Sequence, residues 1–368
     1  MSIFEELGVH RYLNAEDTFT SNGASCMGDE TYRAMREISS SWVDLAELQR
    51  AAGEALARLT HNEAAYVSAG AASALTLCAA AAVSGGDRDA FLALPDTTLC
   101  ARDEVVLLTP QRNPYARSIA ASGARLRWAG REGRSVSLGE LGSALTPCTA
   151  AIFYFVYHGA ALCPPLKDIL VLASANGIPV FVDAAAQLPP AENLWKYTEL
   201  GAELALFSGG KGLAGPQDSG LIVGKRRWVE RFLALGAPHE GVCRGSKVTR
   251  EAIAGLYTAV RVFLSEPEEE RQSKLLRKCE LAGEAMRRCT FTGLRIEPKG
   301  PVGQDSPRVT GVPDGVDAQA LREALRREGL LVGCEGERLS FHPQMMSEEQ
   351  TRTACAILEE TARRMKEV

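Results

Sequence analysis

Short apolar runs alternate with amphipathic stretches through the middle of the chain. Glu104–Thr109 (EVVLLT), Arg125–Ala129, Ala150–Tyr157 (AIFYFVY), Pro179–Asp183 (PVFVD), Leu204–Ser208 (LALFS) and Gly220–Val223 read as buried strands. Between them, 117–123, 166–176 and 191–200 carry helical spacing. Strand and helix in repeated alternation predict a largely parallel sheet with helices on both faces. In such sheets the chemistry collects in the loops beyond the carboxyl ends of the strands.

After about Gly236 the pattern changes. Arg250–Glu266 and Pro267–Arg288 read as two long helices, the second charged along one face. A small α+β unit follows: strands near 308–310, 330–332 and 338–341, with helices over 318–328 and 347–366. Gly236, Pro238 and Gly241 mark the change as a linker would. The expected organisation is an N-terminal segment over 1–45 that feeds a dimer or active-site loop. A large α/β domain over 46–240 and a linker helix with a small α+β domain over 241–368 complete it.

Composition narrows the classes. The 368 residues balance 41 Lys plus Arg against 46 Asp plus Glu, a net charge of −5, which argues against a nucleic-acid partner. The ten cysteines form no Cys-x-x-Cys pair and have no neighbouring histidine, so no metal site is expected and reduced, space-filling thiols are. The N-terminus lacks a signal-peptide pattern, and the longest apolar run, Ala71–Val83, is too short to span a bilayer. The expectation is a cytoplasmic protein with no membrane partner.

Three segments carry candidate chemistry. In Ser208-Gly-Gly-Lys211-Gly-Leu, a strand ends and glycines turn the backbone beside a lysine. This is not a nucleotide-binding loop: the spacing before Gly-Lys is wrong, and no Ser or Thr follows. Desolvation at such a place lowers an amine's pKa and suits imine formation. Asp183, ending the Pro179–Asp183 strand, is equally readable as a helix cap or as the acid that holds a protonated pyridine nitrogen. Gly70, Ala71, Ala72 and Ser73 open a helix of small residues whose free N–H groups suit a phosphate. Each alone has a structural reading; in this order on successive strands they favour a pyridoxal-phosphate site.

With these residues in view, the chain resembles pyridoxal-phosphate enzymes of fold type I. It is most similar to the selenocysteine synthase-like branch that includes D-glucosaminate-6-phosphate ammonia lyase and the seryl-tRNA selenium transferases. The resemblance runs over nearly the whole chain, through Leu7–Asn14, Val43–Gln49, Ser68–Ala72, Gln111–Tyr115, Val182–Pro190, Ser208–Leu213 and Gly215–Gln217. It implies that Lys211 carries pyridoxal 5'-phosphate as a Schiff base and then serves as base at Cα. It further implies that Asp183 pairs with the ring nitrogen and that Gly70, Ala71, Ala72, Ser73 and Ser208 hold the phosphate. Gln187, Arg112 and Asn113 would lie about the ring. Arg244 and Lys247 would reach substrate, in one subunit or from its neighbour; Arg308 and Arg338 are rivals for the substrate carboxylate. His158, after the Ala150–Tyr157 strand, is a candidate acid or base. Two departures stand out. Gln111 falls where many relatives have His, and Asp17 where they tend to have Gly, adding a negative charge that disfavours an acidic or phosphorylated substrate.

The implied activity is a lyase acting on a 2-amino-3-hydroxy acid such as an amino-sugar acid, releasing a 2-keto acid and ammonia. Aminotransferase, racemase and aldolase chemistry share its first steps, and a non-catalytic scaffold is the alternative outside enzymes. Selenium transfer to tRNA is disfavoured by the acidic balance and by the expectation that the N-terminus is too short. A homodimer or larger even assembly is expected.

Overall fold

A computed structural model describes residues 2–156 and 159–367. The chain begins with α1 (Ile3–Leu7), β1 (Leu13–Ala15), α2 (Asp29–Ser39), α3 (Leu45–Leu59), β2 (Ala64–Ser68), α4 (Ala71–Val83) and α5 (Arg88–Ala93). It continues through β3 (Glu104–Leu108), α6 (Ala116–Ala120), β4 (Arg125–Ala129), α7 (Leu138–Ala144), β5 (Thr149–Phe155), α8 (Leu166–Ala175) and β6 (Val180–Asp183). Then come α9 (Asn193–Glu199), β7 (Leu204–Ser208), β8 (Gly220–Gly224), α10 (Arg226–Leu235) and α11 (Arg250–Ser265). The last elements are α12 (Glu268–Arg288), β9 (Thr292–Glu297), β10 (Arg308–Val312), α13 (Ala318–Arg327), β11 (Leu330–Glu335), β12 (Arg338–Phe341) and α14 (Glu348–Lys366). Two compact units result, one of residues 25–265 and one of residues 1–24 with 266–368.

The larger unit holds a seven-stranded sheet in the order β2-β8-β7-β6-β5-β3-β4. All strands run parallel except β8, which is antiparallel to both neighbours. Both faces are covered, so the central strands are apolar between their ends. Val106, Leu108, Val180 and Val182 point into one core, with α3, α8, α9 and α11. Val105, Leu107 and Phe181 point into the other, with α4, α6 and α10. Phe181 is fully buried between Phe153 and Trp228, edge to face at centroid distances of 5.2 and 4.9 Å.

The sequence changes character near residue 240, but the division between units falls after Ser265 because α11 is anchored to α2. Arg250 donates to the carbonyls of Ser41 and Ser39 at 2.6 and 3.0 Å. Arg261 pairs with Glu30 at 3.1 Å. At Gly255 a Cβ would stand 2.6 Å from Pro216 and about as close to Met35, at 3.0 Å, so the two helices pack backbone to side chain there.

The smaller unit is a five-stranded sheet, β1-β11-β12-β10-β9, antiparallel apart from the β1–β11 pair. Residues from the two ends of the chain thus build one sheet. α12, α13 and α14 cover one face with Leu321, Leu325, Met286, Ala354 and Leu358, against Val309, Leu339 and Phe341 of the strands. Strand side chains alternate between faces, so Arg308, Thr310, Arg338, Ser340 and, one step past β12, His342 fall on the other face.

Candidate active site

The parallel strands of the larger unit all end at one edge of the sheet, and β8 starts there. Ser68, Gly220 and Ser208 lie side by side in register, while Asp183 stands opposite Leu206 and Phe155. The ends of β2, β7, β6 and β5 therefore bring the candidate residues into one row.

Lys211 is placed by glycines. Beyond Ser208, the Gly209 N–H donates to Ser219 at 2.8 Å and the Gly215 N–H to Gly209 at 2.8 Å, closing a tight loop. A Cβ on Gly209 would overlap the Ser219 hydroxyl, and one on Gly212 the Leu188 carbonyl. A Cβ on Gly210 would sit 2.6 Å from the Cα of Gln217. Ser25 adds a hydrogen bond to the Gly210 carbonyl at 2.7 Å. The lysine between these glycines is half-buried.

Asp183 is buried, and burial pushes its carboxyl up to about 6. A hydrogen bond from the Ala185 N–H (2.9 Å) and the positive charge of Lys211 pull the other way. The chain then pairs with the end of β7 through Ala184 to Leu206 (2.9 Å) and Ser208 to Ala185 (3.1 Å). Gln187 follows in a buried turn, its carbonyl taken by Asn193 at 2.7 Å.

At the β2 end, Gly70 begins α4 with φ +92° and supplies no side-chain cap. The first intrahelical bond is Ala74 to Gly70, so the N–H groups of Ala71, Ala72 and Ser73 head the helix without acceptors in its own turn. Gly220 presses against this point: a Cβ there would lie 2.7 Å from both the Gly70 carbonyl carbon and the Ser68 hydroxyl. Open N–H groups and a helix dipole make an anion cradle.

The other predicted residues are distributed as follows. Gln111, beyond β3, is buried and clamps β5: its amide donates to the Phe155 carbonyl at 2.7 Å and accepts the Phe155 N–H at 3.0 Å. Arg112 is exposed and lies over the Trp128 ring, 4.7 Å from its centroid. Asn113 caps its own loop, donating to Gln111 at 2.9 Å and accepting from Tyr115 at 2.8 Å. Arg244 and Lys247 are exposed on and beside a short 3-10 turn. His158 lies outside the described residues.

In the smaller unit, the Arg338 guanidinium donates to the Gly293 carbonyl at 2.7 Å and to Thr310 at 3.0 Å. The Nε of Arg308 is buried without a hydrogen-bond partner, as are Ser340 Oγ and His342 Nδ1. Sequence reasoning did not single out Ser340 or His342. The available signal was the alternation in Arg338-Leu-Ser-Phe-His342, which puts three polar side chains on one face of a strand.

No family model matches the chain. D-glucosaminate-6-phosphate ammonia lyase of Salmonella typhimurium is 30% identical over 272 residues, covering 71% of this chain and 70% of that one. A solved structure of D-glucosaminate-6-phosphate ammonia-lyase superimposes with a TM-score of 0.83 at 26% identity, covering 99% of each chain. The chain belongs to the selenocysteine synthase-like family of pyridoxal-phosphate enzymes. A Streptomyces 5'-C-glycyluridine monooxygenase-decarboxylase is 32% identical over 291 residues, 75% of this chain and 68% of that one.

The fold is fold type I, and the protein is an enzyme of the pyridoxal-phosphate-dependent ammonia lyase type. Its cofactor is pyridoxal 5'-phosphate, and the residues present fit that group. A buried carboxylate whose charge is costly wants a cation such as a ring N–H⁺, and the uncapped helix start wants an anion. Among the described residues no group of acids, cysteines and histidines is placed to hold a metal, and no helix is long and apolar enough to cross a membrane. The ten cysteines are free; burial pushes the thiols of Cys163 and Cys243 up to about 11 and about 12, which makes them poor nucleophiles.

Proposed function

We propose that the enzyme acts on a 2-amino-3-hydroxy acid of the amino-sugar acid class, releasing the 3-deoxy-2-keto acid and ammonia. The observation that carries this is the single edge on which Lys211, buried Asp183 and the open start of α4 meet, in a chain 30% identical to a D-glucosaminate-6-phosphate ammonia lyase. When bound, pyridoxal phosphate supplies a sink for the electron pair left at Cα. The chain's residues do the rest. The N–H groups of Ala71, Ala72 and Ser73, with Ser208, would hold the phosphate, and Gln187 would lie beside the ring. Asp183 would hold a proton on the ring nitrogen, and the bound group's positive charge would then stabilise the electron pair left at Cα. The Lys211 amine takes the Cα proton and returns one to the departing β-hydroxyl, which leaves as water. Hydrolysis of the resulting enamine uses one water and frees ammonia, so the net change is loss of ammonia from the substrate. Arg308, with its unpartnered Nε, is better suited to the substrate carboxylate than Arg338, whose guanidinium is occupied.

The reading brings a homodimer in the cytoplasm with it. Trp42 is 97% exposed, and Val43 next to it and Tyr32 earlier in the chain are exposed in part, apolar surface that a second copy would cover. Free thiols at every cysteine suit a reducing compartment. Arg244 and Lys247, exposed in one chain, are then available to the substrate of either copy.

The test is to add D-glucosaminate 6-phosphate and a panel of D- and L-3-hydroxy amino acids to purified enzyme. Ammonia and keto acid in equal amounts, with no keto-acid acceptor and no oxygen consumed, are expected from at least one. A second reading comes from the 32% identity to the monooxygenase-decarboxylase: oxygen uptake with carbon dioxide release would replace elimination by that chemistry. Turnover only with an added keto acid would mean transamination.

A further inference from the structure

The glycines around Lys211 keep side chains out of its loop, but missing volume alone does not fix which way each peptide points. Three successive carbonyls, at positions 209, 210 and 211, do that. The Gly209 carbonyl accepts from the Gly215 N–H at 2.8 Å and the Lys211 carbonyl from the Ala214 N–H at 2.9 Å, so the loop's own backbone holds the outer two. Ala214 takes a left-handed φ of +52° as it makes that bond. The middle carbonyl, that of Gly210, has no backbone donor among the described residues. Its partner is the Ser25 hydroxyl, which donates to it at 2.7 Å from 185 positions earlier in the chain.

The Gly210 carbonyl belongs to the peptide unit whose N–H is that of Lys211, so the Ser25 bond acts on the link that carries the lysine. Gly210 is also the most permissive residue that can precede it, because without a Cβ the rotation of this peptide meets little resistance. A Cβ there would sit 2.6 Å from the Cα of Gln217, so no other residue can stiffen the position from within. Stiffness has to come from outside, and a neutral hydrogen bond from a half-buried hydroxyl supplies it.

The chain is bent sharply just before that hydroxyl. The Phe19 carbonyl accepts from the N–H groups of Asn22 and Ala24, both at 3.0 Å. The backbone leaves this turn through two consecutive left-handed residues, Gly23 at φ +82° and Ala24 at φ +60°. Glycine adopts that region freely; alanine does not, and a buried alanine held there marks strain imposed by its surroundings. Ser25 follows at once.

Reaction rate depends on this link through geometry. An amine at the end of a lysine side chain stands about 6 Å from its Cα, so a tilt of about 10° moves it by about 1 Å, a misplacement that costs on the order of a hundredfold. Cofactor binding has other supports, since the open start of α4 and Asp183 stand on separate elements.

We propose that Ser25 is a positioning residue for Lys211: by holding the Gly210 carbonyl, it fixes the direction from which the amine reaches Cα. This role rests on Lys211 being the proton-carrying amine, as proposed above.

The experiment compares Ser25→Ala and Ser25→Thr with wild type, as cofactor-loaded enzyme, on the 3-hydroxy amino acid that releases ammonia fastest. Ser25→Ala is expected to lower kcat by about tenfold to a hundredfold while KM changes by less than about twofold. Cofactor content and melting temperature should stay near those of wild type. Ser25→Thr keeps the hydroxyl and is expected to retain kcat within about threefold. A second readout needs no substrate. The pH midpoint at which the visible cofactor band changes reports the surroundings of the lysine; it should move by at least about half a pH unit in Ser25→Ala and return in Ser25→Thr. Should Ser25→Ala fail to fold, Ser25→Cys, similar in size with a weaker donor, is expected to show the same losses in smaller measure. Wild-type kcat and midpoint in Ser25→Ala, or equal losses in Ser25→Thr, overturn the proposal. If no 3-hydroxy amino acid reacts while the midpoint moves as stated, the lyase reading falls and Ser25 keeps its role. A visible band that survives Lys211→Ala removes the lysine assignment and this role with it.

Discussion

The edge of the larger sheet and the polar face of the smaller one solve the same problem, holding polar groups away from water, by opposite means. On the larger sheet, backbone does the holding: glycines at 209, 210, 212 and 220 leave no room for a Cβ, and a bare helix start supplies N–H groups. On the smaller sheet, side chains do it: Ser306, His342, Asp17 and Arg308 depend on one another and on strands far apart in sequence. Backbone-built sites keep most of their form when one side chain changes. A side-chain constellation is easier to retune, so the first suits cofactor chemistry common to a family and the second suits selectivity.

That contrast can be broken at several points. The largest effect is expected from Lys211→Ala, which removes the proton-carrying amine: ammonia release should fall by at least about a thousandfold, and the visible cofactor band should be lost. Residual turnover within tenfold of wild type would move the chemistry elsewhere. Next comes Gly209→Ala, whose methyl group must displace Ser219. A loss of about 1–3 kcal/mol in stability with reduced cofactor content is expected from denaturant titration, whereas Gly139→Ala, inside α7 with only a 3.9 Å contact to Ser137 and no positive φ, should cost nothing.

Asp183→Asn separates cofactor chemistry from stability. The carboxyl pKa is about 6 in the folded chain against an ordinary 3.8, so the folded state binds more protons between those values. Stability of cofactor-free protein therefore falls as pH rises through this window. At pH 7 the burial of the charge costs on the order of 2–3 kcal/mol. Asparagine should recover much of this in cofactor-free protein, seen as a higher melting temperature at pH 7 and a flatter profile from pH 4 to 6.5, while turnover drops. The smallest difference is between two arginines. Arg308→Gln should raise KM for a substrate carboxylate by about tenfold or more, and Arg338→Gln should cost only about 1 kcal/mol of stability through the lost bonds to Gly293 and Thr310. The reverse pattern would exchange their roles.

The same contrast explains what the sequence disclosed. Strands β3, β5, β6 and β7 are legible because burial on both faces makes them continuous apolar runs, and the residues that end them, Asp183 and Ser208, stand out against that background. Lys211 is legible because its glycines are adjacent in the chain. The antiparallel course of β8 is not, since Gly220-Leu-Ile-Val reads like any buried strand and direction has no compositional mark. β2 escaped notice because Ala64 and Ala65 have little strand propensity, and its pairing with β8 supplies what propensity does not. β1 is three residues long and exists as a strand through β11, more than 300 positions away. Asp17 and His342 are distant for the same reason, and no local period connects residues that meet only when the two ends of the chain fold together. The second boundary, after Ser265, depends on the anchoring of α11 to α2 by Arg250 and Arg261, which spacing within either helix does not reveal.

The crowding around Lys211 also bears on how this chain can change. A loop defined by missing volume tolerates no gradual drift: each glycine is surrounded by backbone or by a side chain itself held in place, so an accepted substitution needs a simultaneous one nearby. Neutral variation is thereby diverted away from the lysine. Descendants of such a protein would diverge in what they recognise long before they diverge in where the amine stands.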